Sequence, residues 1–245
     1  MTSPTAGTDP SAARTLPEDH HHRDVTGGWM RPAVFGAMDG LVSNTALIAG
    51  VAGGGAPAHT VLLAGLAGLA AGAFSMATGE YVSVASQTEL TLAEIEVEKA
   101  ELRRVPAAEQ AELAAIYRAR GVDEATAAEV ARQLSADPET VWRVHAREEL
   151  GVDPDDLPSP WTAAGSSFAA FTVGALVPVL PYLLGGTSLL VPVLLALLAL
   201  FAAGALVSRF TDRSALYSGG RQLLLGAVAA ALTYGIGNLV GASGI

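Results

Sequence analysis

Five stretches of this chain are almost continuously apolar: about residues 33–53, 61–87, 161–184, 187–208 and 221–243. A membrane-crossing helix needs roughly 20 mostly apolar residues, so each stretch predicts a span. Spans one and two are joined by the six residues GGAPAH, and spans three and four by GGT. Between spans two and three lie about seventy polar residues, enough for a small domain. Their punctuation predicts helices. Pro106 suits a first helical turn, because proline's missing N–H costs nothing there, and Gly121 tolerates the left-handed stop. Asp123 predicts the cap of a second helix, and Asp137 followed by Pro138 starts a third, closed by Gly151. Prolines 154, 158 and 160 then return the chain to the membrane.

Composition supports a membrane protein: 51% of the 245 residues are hydrophobic and only 16% are charged. The net charge of -10 offers no basic surface for a phosphate backbone, so nucleic acid is not an expected partner. With no cysteine, disulfides and thiolate metal sites are excluded, and any metal must be held by oxygen, imidazole or thioether. All fourteen Lys and Arg fall before span one, in the long insert, or between spans four and five. With five spans those segments share one side, which the positive-inside rule makes cytoplasmic. The N-terminus is therefore expected inside and the C-terminus outside. The first thirty residues, with the His20, His21, His22 run, are expected to be a disordered cytosolic tail.

Asp39 and Glu80 are the carboxylates within the five spans. An ionised group in hydrocarbon costs on the order of 3 kcal/mol on insertion scales, so both are functional candidates. Spans one and two run in opposite directions, and both acids lie at similar depth, about 10 Å from the cytoplasmic boundary. Met76 is one turn deeper than Glu80 on the same face. Followed toward the cytosol, that face reads Met76, Glu80, Ser83, Gln87, Leu90, Glu94, Glu98, Glu101, in steps of three and four. No Gly or Pro interrupts TELTLAEIEVEKAEL, so one continuous helix is predicted to carry the stripe out of the membrane. Glu98 and Glu101 at i, i+3 are answered by Glu109 and Glu112 after the Pro106 turn, and His145 and Glu149 stand at i, i+4 on a later helix. So many like charges repel unless protons or a cation intervene. A divalent-metal site is the expectation, and Met76 and His145 tilt it toward transition ions over Mg²⁺ or Ca²⁺. No nucleotide loop or catalytic triad occurs, so no enzyme is expected.

Four words then mark a family: DGLVSN at 39–44, SMATGEYVSVASQ at 75–87, VHAREELG at 144–151, and PWTAAGSSFAAFTVGALVPVLPYL at 160–183. From about residue 30 to 243 the chain resembles the vacuolar iron transporter family, nodulin-like members included. The resemblance implies a five-span homodimer that exports Fe²⁺, and often Mn²⁺, from the cytosol in exchange for protons. It implies Asp39 and Met76 lining the path at the dimer interface with Glu80 nearby, and Glu98, Glu101, Glu109, Glu112 and Glu149 as metal-binding glutamates of a cytosolic domain. Where the family pattern has methionines, this chain has His145 and Ala146.

The expected architecture is an all-α membrane protein: a tail over 1–30, transmembrane helices one and two over 31–87, a cytosolic helical metal-binding domain over 88–157, and transmembrane helices three to five over 158–245. Its expected partners are the lipid bilayer, divalent metal ions, protons and a second copy of itself. No prosthetic group is needed, since Fe²⁺ or another divalent transition ion is cargo. Proton-coupled export leads, with two rivals: a membrane-anchored metal sensor or scaffold, and an uncoupled divalent-cation channel. A composition rich in Ala, Gly, Leu and Arg favours a bacterial plasma membrane over a vacuole.

Overall fold

The computed structural model describes residues 28–210 and 213–243. The tail up to residue 27, with His20, His21 and His22, lies outside them. Eight α-helices make up the described chain: α1 Met30–Gly53, α2 Ala58–Arg104, α3 Pro106–Ala119, α4 Glu124–Leu134, α5 Val141–Glu148, α6 Pro160–Leu183, α7 Leu190–Val207 and α8 Ala215–Ala242. Five of these, α1, α2, α6, α7 and α8, are long and apolar enough to cross a membrane. The protein is thus an all-α membrane protein with three short helices between its second and third spans.

The apolar helices α1, α2 and α7 start three residues from the expected positions, at Met30, Ala58 and Leu190, and two further boundaries differ for reasons the structure shows. The fifth apolar helix begins at Ala215, six residues earlier than expected, because the Ser214 hydroxyl accepts from the Tyr217 N–H at 3.2 Å and starts the helix there. The last insert helix begins only at Val141: Asp137 accepts from the Glu139 N–H at 3.0 Å and holds a turn rather than a helical start. Elsewhere the punctuation acts as its chemistry requires. Asp123 caps α4 through the Thr126 N–H at 3.1 Å, and Gly121 and Gly151 adopt φ of +95° and +67°, the left-handed region that disfavours a side chain.

In the bundle α6 packs on both α1 and α2, while α8 packs on α1 and α7. Small residues let the backbones meet. A Cβ on Gly40 would strike the backbone of Phe171 and Ala175, and one on Gly174 the backbone of Ala37. Helix contact in lipid relies on such close fits, because lipid tails are as apolar as leucine and give no hydrophobic drive. Two buried apolar groups result: Ile48, Val61, Val179 and Tyr182, and, nearer the insert, Ala73, Phe171 and Ala175 with Met76 packed against them.

Candidate metal centre

The helix α2 is a single uninterrupted rod of 47 residues, about 70 Å long at ~1.5 Å per residue. A hydrocarbon core is only ~30 Å thick, so the end of α2 that carries Glu98 stands well clear of lipid. Val105 alone separates α2 from α3, its N–H bonded to the Glu101 carbonyl at 2.8 Å. That tight reversal sets Glu109, on the first turn of α3, beside Glu98. Helix α5 lies across both and contributes His145 and Glu149.

The four side chains converge: one ligand atom from each of Glu98, Glu109, His145 and Glu149 lies within 4.8 Å of all the others. His145 Nδ1 is 2.6 Å from Glu149 Oε1, 2.9 Å from Glu98 Oε1 and 4.0 Å from Glu109 Oε2. A single ring nitrogen serves one oxygen well. The bond goes to Glu149, and Glu98 Oε1, though close, is buried without a hydrogen-bond partner, as is His145 Nε2. His145 is 0% exposed, Glu109 5% and Glu98 7%.

Burial, and next the charge of Glu149, push the Glu98 carboxyl up to about 7. Burial followed by Glu112 and Glu109 does the same for Glu149, also to about 7, and Glu109 is raised by burial and then by Glu112 and Glu101. Such a pocket holds protons near neutrality or exchanges them for a cation. Donors sit ~2.0–2.2 Å from a first-row ion, so no two exceed about 4.4 Å. Atoms already within 4.8 Å need only small rotamer adjustments to close on one. Carboxylates with an imidazole suit a divalent transition ion, and the orphaned Glu98 oxygen supplies a ready donor.

Glu101 and Glu112, expected in the same set, stand outside it. Glu101 is half-buried and 3.7 Å from Arg104, and Glu112 is exposed. They act at longer range, as the charges on Glu109 and Glu149 record. The frame that holds α5 was not foreseen. Arg147 pairs with Asp153 at 2.8 Å, Arg120 pairs with Glu148, the Tyr117 hydroxyl donates to Glu148 at 3.2 Å, and Lys99 and Arg143 each place their charge over the Trp142 ring, 4.2 and 4.7 Å from its centre.

Some 22 residues back along α2, about 33 Å, Met76 lines a second feature, a cavity of about 240 Å³ between α1, α2 and α6. Asp39, Ser43 and Asn44 enter it from α1, Ser75 and Met76 from α2, and Phe171 from α6. The structure thus brings Asp39 and Met76 to one space. Glu80, one turn on, is half-buried and not among the lining residues. The stripe between the two features is not covered: Ser83, Gln87, Leu90 and Glu94 are all exposed. Attention to the intramembrane acids and to the one face of α2 that carries Met76 overlooked Ser43, Asn44 and Ser75. Asn44 was visible as a carboxamide inside an apolar span, five residues from Asp39.

Residues 30–238 match the pattern of the VIT family. The chain is 40% identical over 234 residues to the vacuolar iron transporter of Acanthamoeba castellanii, covering 91% of this chain and 82% of that one. It is 33% identical to vacuolar iron transporter 2 of Oryza sativa subsp. japonica over 95% of this chain and 96% of the relative. To VIT-like transporter 1b of Glycine max it is 32% identical, over 100% of this chain and 91% of the relative.

Proposed function

The chain belongs to the VIT family, and we propose on that footing that it exports Fe²⁺, with Mn²⁺ as a second cargo, from the cytosol in exchange for protons. It is a multi-pass membrane protein that moves metal and not an enzyme. The largely buried cluster of Glu98, Glu109, His145 and Glu149 gathers the ion on the cytosolic side, with Glu101 and Glu112 as an acidic rim that raises its local concentration. The ion then enters the membrane at Asp39 and Met76, with Glu80 one turn closer to the cytosol. The carrying observation is that a carboxylate and a thioether from two helices share one cavity within an apolar bundle. An anchor or scaffold has no use for that pairing. Protons return on the same carboxylates: a group that binds a cation at one face and a proton at the other couples the two flows by competition.

The working unit we propose is a homodimer. Ser43, Leu47 and Ser75 on the cavity wall are exposed on the single chain, which would set hydroxyls against lipid. A second copy across a two-fold axis would cover them and double the ligand set. The side of the insert follows from the basic residues of the insert, with Arg31, Arg209, Arg213 and Arg221 at the same ends of the spans, giving a cytoplasmic N-terminus. We place the chain in a bacterial plasma membrane on its Ala, Gly, Leu and Arg content. The relatives named as vacuolar transporters above are eukaryotic.

Purified chain in liposomes tests the proposal. Wild type should carry Fe²⁺ down an imposed pH gradient and slow markedly when the gradient is collapsed, whereas a channel would run equally well. Unchanged Fe²⁺ flux in both Asp39→Ala and Met76→Ala would refute the path. Metal binding by the full chain without flux of any ion would favour a sensor.

A further inference from the structure

Given the transport function proposed above, we infer that the side-chain carbonyl of Asn44 is a further ligand of the path, taking the cation onward from Asp39 and Met76. Asn44 is 2% exposed, and its Nδ2 donates to the Ala175 carbonyl of α6 at 2.8 Å. A carbonyl only accepts, so the amide nitrogen must face α6 and the amide oxygen must face away from it. That oxygen is buried with no hydrogen-bond partner, and it faces α2, where a Cβ on Gly68 would lie 2.8 Å from it. Both Asn44 and Gly68 line the cavity of Asp39 and Met76.

The neighbouring polar groups are otherwise engaged. Ser43 donates to the Asp39 carbonyl at 2.6 Å, and Thr45 donates to the Leu41 carbonyl at 2.5 Å, each within its own helix. Asn44 alone of the three reaches across to another helix, and it does so in a way that leaves its acceptor free. Buried acceptors in native proteins are nearly always satisfied, and one aimed into a cavity implies a ligand that arrives and leaves. Asn44 is five residues beyond Asp39, about 7.5 Å further along α1, so it would be the next station outward. A neutral amide oxygen binds a cation without adding charge and releases it readily, as a site in a chain of sites must. The absence of a side chain at Gly68 is what lets the Asn44 oxygen and Leu47 sit so close to α2.

The test compares two ions of different softness in one preparation. Full-length wild type, Asn44→Cys and Asn44→Asp are reconstituted in liposomes, and initial rates are read for Mn²⁺ and for Cd²⁺. A ligand role predicts that sulfur at position 44 raises the Cd²⁺ to Mn²⁺ ratio by about tenfold and that the carboxylate lowers it below wild type. Because the ratio is taken on the same vesicles, partial loss of folded protein cancels. If both variants lose the two rates by one common factor, Asn44 only ties α1 to α6 and the inference is overturned. If wild type carries neither these ions nor Fe²⁺, the transport reading itself fails, and that outcome is separate from an unchanged ratio.

Discussion

The two regions of α2 assigned to metal in the proposed function are built on opposite plans. At the cytosolic end, two buried carboxylates, a half-buried third and a buried imidazole bring their ligand atoms within 4.8 Å of one another between α2, α3 and α5, with salt bridges holding α5. In the membrane, one carboxylate and one thioether share a space whose hydroxyl-bearing wall is open on the single chain. A closed, charge-dense site suits capture and retention, whereas a sparse, open one suits passage. The exposed side chains Ser83, Gln87, Leu90 and Glu94 of α2 separate them, so on the proposed route the ion would leave the first before it enters the second. Retention and passage are then separable by mutation.

The largest effect should fall on passage. Asp39→Ala should cut Fe²⁺ flux by at least about tenfold, the lower edge of the ~10–100-fold that losing even an indirect ligand contact costs, while metal still binds the cytosolic cluster. Isothermal titration alongside flux would separate the two. Next, His145→Ala should weaken binding at the cluster by roughly tenfold, since it removes the buried imidazole that touches Glu98 and Glu149. His145→Met should recover binding and tilt it toward softer ions, read by competition between Mn²⁺ and Cd²⁺.

A pH series sharpens the same contrast. Glu98 and Glu149 ionise near 4.5 in an unfolded chain and at about 7 in the folded one. Between those values the folded chain holds more protons, so unfolding free energy falls as pH rises. The metal-free thermal midpoint should therefore drop from pH 5 to pH 8. Added Fe²⁺ or Mn²⁺ should restore it most at pH 8, where it no longer displaces protons. Glu98→Gln with Glu149→Gln should flatten the slope. The smallest effect belongs to Asp123→Ala, which removes the α4 cap on the exposed side of the insert. It should lower the midpoint slightly and leave flux unchanged.

How far the sequence alone reached follows the range of the contacts. Helical spacing is local, so the register of Met76, Glu80, Glu98 and Glu101 on one rod and of His145 with Glu149 could be read directly. The same spacing could not choose among Glu98, Glu101, Glu109 and Glu112. Which of each pair turns inward depends on where α5 lands, and that depends on Arg120 with Glu148 and on Lys99 and Arg143 over the Trp142 ring. The cross-helix bond of Asn44, a carboxamide the sequence does display, was hidden for a similar reason: its partner, Ala175, is 131 positions away. The early start of α8 was missed because Arg221 looked like an end marker, although a long basic side chain near a helix end can reach the interface from inside the helix.

The most direct test of separate capture and passage is a set of Fe²⁺ flux curves against concentration, measured in the same liposomes for wild type, Glu98→Gln with Glu149→Gln, and Asp39→Ala. The cluster variant should need more Fe²⁺ to reach half-maximal flux yet approach the wild-type maximum, and Asp39→Ala should stay slow at every concentration. A cluster variant with a collapsed maximum, beside an Asp39→Ala variant that saturates at the wild-type rate, would contradict the account.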